Sequence, residues 1–171
     1  VDVYFVSQLN DNDAVATIGL TESILTLIYS LAMGLSMGAT AMVARRVGEK
    51  DIKSAEVAAA QAIFVGIGLS IVISIVGIFF SEDLLRLMGA SEQLIQKNSG
   101  YARWMLSGNI TIMMLFLING IFRGAGDASI AMRSLWLANT LNILLDPVFI
   151  FGLGPVPAFG VEGAAIATNI G

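Results

Sequence analysis

Three stretches of this chain carry no charged residue over a length that matches the thickness of a lipid bilayer: Ser23 to Ala44, Val57 to Ser81 and Trp104 to Phe122. Each meets the roughly 18 apolar residues that mark a transmembrane helix, whereas a membrane-spanning strand needs only about 9–11. In hydrocarbon every backbone N–H and C=O must find its partner inside the protein, which leaves helices and closed barrels as spanning structures. Runs this long choose the helix. A fourth run, Ser134 to Leu145, is uncharged but shorter. Charged residues make up 13% of the chain and hydrophobic ones 56%, against the roughly 25% charge of a soluble domain. The mean hydropathy is +0.82. The fold class that follows is all-α, a polytopic transmembrane helix bundle.

Punctuation along the chain predicts four full spans and two partial ones. Val1 to Leu9 reads as the outer part of a first helix, closed by the turn-like Asn10 to Asp13. A second helix is expected from about Ala14 to Ala44, with Arg45 to Asp51 as a loop, and a third from Ala55 to Phe80. Ser81 then caps a short amphipathic helix that Gly89 ends. A fourth is expected from Leu94 to Phe122. A fifth runs from Ser129 to Phe151 after the break at Gly124, Gly126 and Asp127. Gly152, Gly154, Pro155 and Pro157 make a helix-breaking loop, and a sixth helix starts at Val161. Small residues allow close helix approach in lipid. Ser30, Gly34 and Gly38 form one such stripe, and Gly66, Ser70, Ser74 and Gly77 another, both expected to pack.

Lysine and arginine in short loops orient a membrane protein. Arg45, Arg46, Lys50, Lys53, Arg123 and Arg133 gather on one side, against Arg86, Lys97 and Arg103 on the other. The first side is expected to be cytoplasmic. The chain has no cysteine and no histidine, which excludes disulfides, thiolate metal sites and the commonest general base. Gly124-Ala125-Gly126 lacks the context of a dinucleotide fingerprint, and no glycine loop ends in Lys-Ser/Thr. The chain reads as a non-enzyme without organic cofactor, metal site or nucleic-acid partner.

Asp146 is the one charge between Arg133 and Glu162. A carboxylate at membrane depth costs about 2.5–3.5 kcal/mol on insertion scales, so it marks an ion, proton or substrate path by default. Asn139, Asn142 and Asp146, spaced i, i+3, i+7, share one helical face. Pro147 cannot donate to the carbonyl of Ile143, which predicts a kink with a free acceptor beside the acid. Asp2 lies about 11 Å in from the outer end of the first helix, and Asp146 about 8 Å in from Phe151, at ~1.5 Å per residue. The two carboxylates are therefore expected at similar depth. Asn119 is a further deep amide, expected to line the same cavity or to bond between helices. Glu22 reads as interfacial and Glu56 as solvated, and Met113, Met114 and Phe116 are candidates for an apolar pocket.

The chain resembles the multidrug and toxic compound extrusion (MATE) family. The resemblance is carried by GLSMGA over residues 34–39, VARRVGEKD over 43–51 and RGAGD over 123–127. NTLNILLDP over 139–147 and Phe151-Gly152 followed by GVEGAAIAT over 160–168 complete it. One departure is the absence of a proline in Ala128 to Ala131, where many relatives have one. The resemblance implies a secondary antiporter of two six-helix lobes in the cell membrane. Residues 1–171 would supply the N-terminal lobe, from a partial first helix to the start of the sixth, with a C-terminal lobe as partner. It implies export of cationic, amphipathic organic compounds in exchange for H⁺ or Na⁺. Asp2, Asn142 and Asp146 match the coupling site, where Na⁺ could bind, and Asn119 matches an asparagine of the same network. Asn119 and Asn139 are the expected cavity lining. The alternatives are a flippase for lipid-linked substrates, which would favour a more basic cavity, and a non-transporting scaffold or channel.

Overall fold

The computed structural model describes residues 2–8, 12–153 and 156–171, with the side chains of Asp2, Val3, Ser7, Asn12 and Ala14 outside that description. Its seven helices are α1 (Asp2–Ser7), α2 (Asn12–Gly48), α3 (Ile52–Leu87), α4 (Glu92–Ser107), α5 (Asn109–Gly124), α6 (Ala128–Phe151) and α7 (Val161–Ile170). No strand occurs among the described residues. Four spans are long and apolar enough to cross a membrane: Val15–Gly48, Ile52–Leu87, Glu92–Gly124 and Ala128–Phe151. The protein is a multi-pass membrane protein.

Two helix ends differ from the expected ones. α2 does not stop at Ala44. It continues through Arg45 and Arg46, whose guanidinium groups reach Glu49 at 2.9 and 3.1 Å, and Lys50 at φ +60° ends it. Asp51 then caps α3, accepting from the Ser54 amide at 3.1 Å. The separate amphipathic helix expected from Ser81 does not form. α3 runs unbroken for 36 residues, because no glycine or proline falls between Gly77 and Gly89. Ser81 faces the interior, 2% exposed. Gly89, at φ +89°, is the stop that was expected.

The fourth span is two helices rather than one, parted at Gly108. A Cβ on Gly108 would collide with the side chain of Asn169 on α7. Asn169 Nδ2 donates to the Trp104 carbonyl at 2.9 Å, and Thr111 Oγ1 donates to the Asn169 carbonyl at 3.2 Å. On the other flank Asn109 Nδ2 donates to the Leu106 carbonyl and to Ser74 Oγ, while Ser74 Oγ donates to the Ser107 carbonyl. Side chains thus satisfy the Leu106 and Ser107 carbonyls at the break, as a broken helix in a membrane requires, while the Trp104 carbonyl keeps the Gly108 amide at 2.9 Å as well.

Close packing uses one of the two small-residue stripes. On α3, Gly66 lies against Leu117 and Met114, and Gly77 against Leu106. On α2 the stripe of Ser30, Gly34 and Gly38 is exposed instead, and nothing lies within 4 Å of a Cβ on Gly34 or Gly38. The neighbouring face of α2 makes the contact. Ser36 Oγ donates to the Phe116 carbonyl at 2.7 Å and Thr40 Oγ1 to the Gly120 carbonyl at 2.8 Å, with Gly120 and Gly124 supplying the room on α5. The central core lies deeper, around Leu25, Ile28, Tyr101, Met105 and Met113.

Candidate functional site

α6 is placed by its cap and by α7. Asp127 accepts from the amides of Ser129 and Ile130 at 3.1 and 3.3 Å, starting the helix. These bonds, with the Ser129 hydroxyl, hold the Asp127 carboxyl below its usual range. The assigned helix runs through Pro147 to Phe151. The chain then folds back: the Phe159 amide donates to the Phe149 carbonyl and the Gly160 amide to the Ile150 carbonyl, at 2.9 and 3.1 Å. α7 follows with Gly163, Ala164, Ala165 and Ala167 all buried. Gly163 touches the backbone of Phe149 and Ile150, and Gly171 touches that of Ala138 and Asn142. This run of small residues brings α7 flush against the face of α6 that bears Asn142.

The sequence-derived site residues separate into three groups. Asp146 is fully buried. One turn earlier, Asn142 is half-buried and donates through Nδ2 to Thr168 Oγ1 of α7 at 2.9 Å. Asn139 is exposed toward the open side and donates to the Leu135 carbonyl of its own helix at 2.8 Å. Asn119, expected to line the cavity or to bond between helices, is not on the cavity wall and makes the interhelical bond. It is 4% exposed and accepts from Ser134 Oγ at 2.7 Å, a bond between α5 and α6. The Asp2 side chain lies outside the described residues. Its helix can still be placed: α1 packs against α2, α6 and α7, and the rings of Phe5 and Phe151 meet at 6.5 Å. Asp2 is three residues from Phe5 and Asp146 is five from Phe151. At ~1.5 Å per residue the two backbone positions differ in depth by only about 3 Å.

A cavity of about 510 Å³ opens beside this group. Its walls come from α2 (Glu22, Tyr29, Met33), from both halves of the broken span (Met105, Thr111, Phe116 among others), from α6 (Leu135, Asn139, Asn142) and from α7 (Thr168). The volume suits a drug-sized molecule, for which pockets of roughly 300–1,000 Å³ are usual. Asn142 and Thr168 both belong to the wall, and the buried acid follows Asn142 by one turn of α6. Tyr29 and Phe116 face each other at 6.3 Å with a 42° tilt.

Sequence reasoning missed two of these residues. Glu22, read as interfacial, stands on the cavity wall and is half-buried. Thr168 sat in a run of small residues with no signal of its own; only the docking of α7 pairs it with Asn142. Of the methionines and phenylalanines singled out, Phe116 lines the cavity. Met113 is fully buried in the core, and Met114 packs on Gly66 of α3. Glu56 is exposed as expected.

Known proteins similar in sequence and in shape agree with this architecture. The FAD transporter of Shewanella oneidensis is 32% identical over 98% of this chain and 37% of its own length. The multidrug export protein MepA of Staphylococcus aureus is 27% identical over 99% of the chain and 37% of its own length. A solved inward-facing structure of a multidrug resistance MATE family transporter of the MOP superfamily superposes with a TM-score of 0.90 at 37% identity, covering 99% of this chain and 37% of that one. The chain thus spans a little over a third of the length of these relatives. The MatE family model matches residues 1–148, which takes in α1 through the Asn142–Asp146 turn. The chain belongs to the MATE family of membrane transporters.

Proposed function

We propose that the protein carrying this chain is a secondary antiporter of the cell membrane, exporting cationic, amphipathic organic compounds in exchange for H⁺ or Na⁺ by alternating access. In this reading residues 1–171 are the N-terminal lobe and work with a C-terminal lobe of the same protein. The observation that carries the reading is a fully buried carboxylate, Asp146, one helical turn beyond Asn142, which stands with Thr168 on the cavity wall and is bonded to it at 2.9 Å.

The mechanism follows from the cost of charge at that depth. An ionised Asp146 in a protein interior at membrane level is expensive unless a cation or proton neutralises it. A coupling ion entering from outside would neutralise it, with Asp2 and Asn142 as further ligands or proton partners. Neutralisation removes the demand for polar solvation around α6. It thereby changes how α6 packs against α1 and α7 near Pro147, where the missing amide leaves the Ile143 carbonyl as an adaptable acceptor. A repacked wall alters the cavity and releases its cargo. Only a ligand that interacts differently with the two packings can shift their balance, and the ion at Asp146 does so through charge.

The test uses the full-length gene in an efflux-deficient host. Asp146→Asn keeps shape and removes the titrating charge, and it is expected to abolish ethidium resistance at unchanged membrane content of the protein. Wild-type resistance in that variant overturns the reading. Transport by the purified wild type under imposed proton or sodium gradients distinguishes the two coupling ions.

A further inference from the structure

We propose that the corner between α2 and α3 binds an anionic phospholipid of the inner leaflet, its phosphate held by Arg45, Arg46 and Lys53. This site shares no residue with the cavity beside α6. It stands whether or not the exporter reading does.

A second cavity, of about 440 Å³, opens between the last turns of α2 and the first turns of α3. Three of its eight lining residues, Arg45, Arg46 and Lys53, are cationic, and none is acidic. The acids nearby are engaged or turned away. Asp51 accepts from the Ser54 hydroxyl at 2.6 Å and from its amide at 3.1 Å. Glu56 is exposed on α3 and is not part of the wall. Glu49 takes one nitrogen from each guanidinium group, which leaves the other donors of each five-donor fork for a second anion. Both of these ion pairs are exposed, a class that adds little to stability and exchanges partners at small cost. The Lys53 ammonium has no ion pair or hydrogen bond among the described residues. Two planar forks and a point charge around one hollow suit a phosphate.

The wall changes character with depth, and that selects a lipid over a soluble phosphate. The basic residues sit at the ends of the spans Val15–Gly48 and Ile52–Leu87. Met42 and Val57 lie one turn further into those spans, about 5 Å deeper at ~1.5 Å per residue. They are 48% and 55% exposed, so acyl chain can cover them. Gln61, a turn beyond Val57, is the one amide in the uncharged run from Val57 to Ser81. It lines the same cavity and offers an N–H donor below the phosphate, where the ester carbonyls of a glycerophospholipid hang. A basic rim over an apolar floor is the profile of that molecule, whereas a free phosphate would use the rim alone. The rim is also on the side that its lysines and arginines mark as cytoplasmic, where the leaflet carries anionic lipid and basic hollows between helices receive the headgroups.

The experiment uses the full-length protein in a neutral detergent and reads bound lipid by native mass spectrometry. The probes are phosphatidylglycerol and phosphatidylcholine with identical acyl chains, and glycerophosphoglycerol as the water-soluble headgroup. The wild type is expected to retain phosphatidylglycerol at least about tenfold more tightly than phosphatidylcholine. Lys53→Gln removes an exposed charge with no partner to lose, and should weaken that binding about fivefold, the equivalent of about 1 kcal/mol per basic residue. The triple variant Arg45→Gln, Arg46→Gln, Lys53→Gln should bring the two lipids level. Arg133→Gln removes a basic residue from the same side but outside the cavity, and should keep the preference. Equal retention of both lipids by the wild type overturns the proposal, as does a triple variant that keeps the preference. A loss in Arg133→Gln as large as that in Lys53→Gln would reduce the effect to diffuse surface attraction and overturn the site. Displacement of phosphatidylglycerol by glycerophosphoglycerol at equal concentration would assign the rim to a soluble phosphate and overturn the lipid.

Discussion

Asn142 on α6 donates its side-chain amide to the hydroxyl of Thr168 on α7 at 2.9 Å, and both residues stand on the wall of the same cavity. The two are 26 positions apart in the chain, and the loop between them folds back to hydrogen-bond with the end of α6. The bond therefore reports whether α7 is docked.

Thr168→Val removes the acceptor while keeping the shape of the side chain. A buried donor left without its partner costs about 1–3 kcal/mol. The expected outcome is a loss of ion-coupled transport by the full-length protein of tenfold or more, with Thr168→Ser close to wild type. Efflux assays in inverted membrane vesicles, normalised to protein content, check this. Full activity in the valine variant would show that the bond is incidental.

Gly108→Ala places a methyl group where the Asn169 side chain lies. Overpacking of this kind costs about 1–3 kcal/mol, and here it pushes α7 away from the break between α4 and α5. The melting temperature in detergent is expected to fall. The double variant Gly108→Ala, Asn169→Ala should recover part of the loss, because the colliding amide is gone. Additive effects of the two changes would refute the contact.

Gly120→Ala and Gly34→Ala test the α2–α5 interface. A Cβ at Gly120 meets Ser36 Oγ, the Ser36 carbonyl at 2.8 Å and Thr40 Oγ1, and backbone cannot move aside cheaply. A Cβ at Gly34 meets nothing within 4 Å. Thermal stability should drop clearly for the first. For the second it should hold or rise, since alanine is favoured over glycine by roughly 0.8–1 kcal/mol inside a helix.

The helix caps outside the membrane predict an acid limb in stability. Hydrogen bonds from the Ser54 hydroxyl and amide hold the Asp51 carboxyl below its usual range, and those from Ser129 and Ile130 do the same for Asp127. Each folded-state value is depressed, so the stabilisation is complete above the unfolded value of about 3.9 and is lost as pH falls through the folded value. Asp127→Asn still caps but does not titrate. Below about pH 4 its stability should decline less steeply than that of the wild type, read by thermal unfolding across a pH series. Parallel declines would remove Asp127 from the acid limb.

Much of the architecture was legible in the chain because the relevant physics is local. An uncharged run of bilayer length must be a helix, whatever surrounds it, and Gly89, Asp127 and Gly152 mark breaks through their own backbone or side-chain chemistry. The shared face of Asn139, Asn142 and Asp146 follows from helical period alone, as does the singularity of Asp146 among apolar neighbours. The failures were also instructive. Ser81 has the chemistry of a cap but no breaker before it, so the helix simply continues. Gly108 looked like one small residue in an apolar run, and only Asn169, 61 positions later, gives it a reason to interrupt the span.

What the chain determined by itself was therefore its class, its spans and the lone charge of Asp146 between Arg133 and Glu162, since hydropathy, period and charge belong to the residues that carry them. Which face meets which neighbour was decided by the tertiary structure. Gly34 and Gly66 are equally small, yet only Gly66 has a helix against it. Asn119 and Glu22 are equally polar, yet the first is sealed against Ser134 while the second stands on the cavity wall. Those outcomes depend on how α5, α6 and α7 stack around α2, and no residue carries that information until the others are in place.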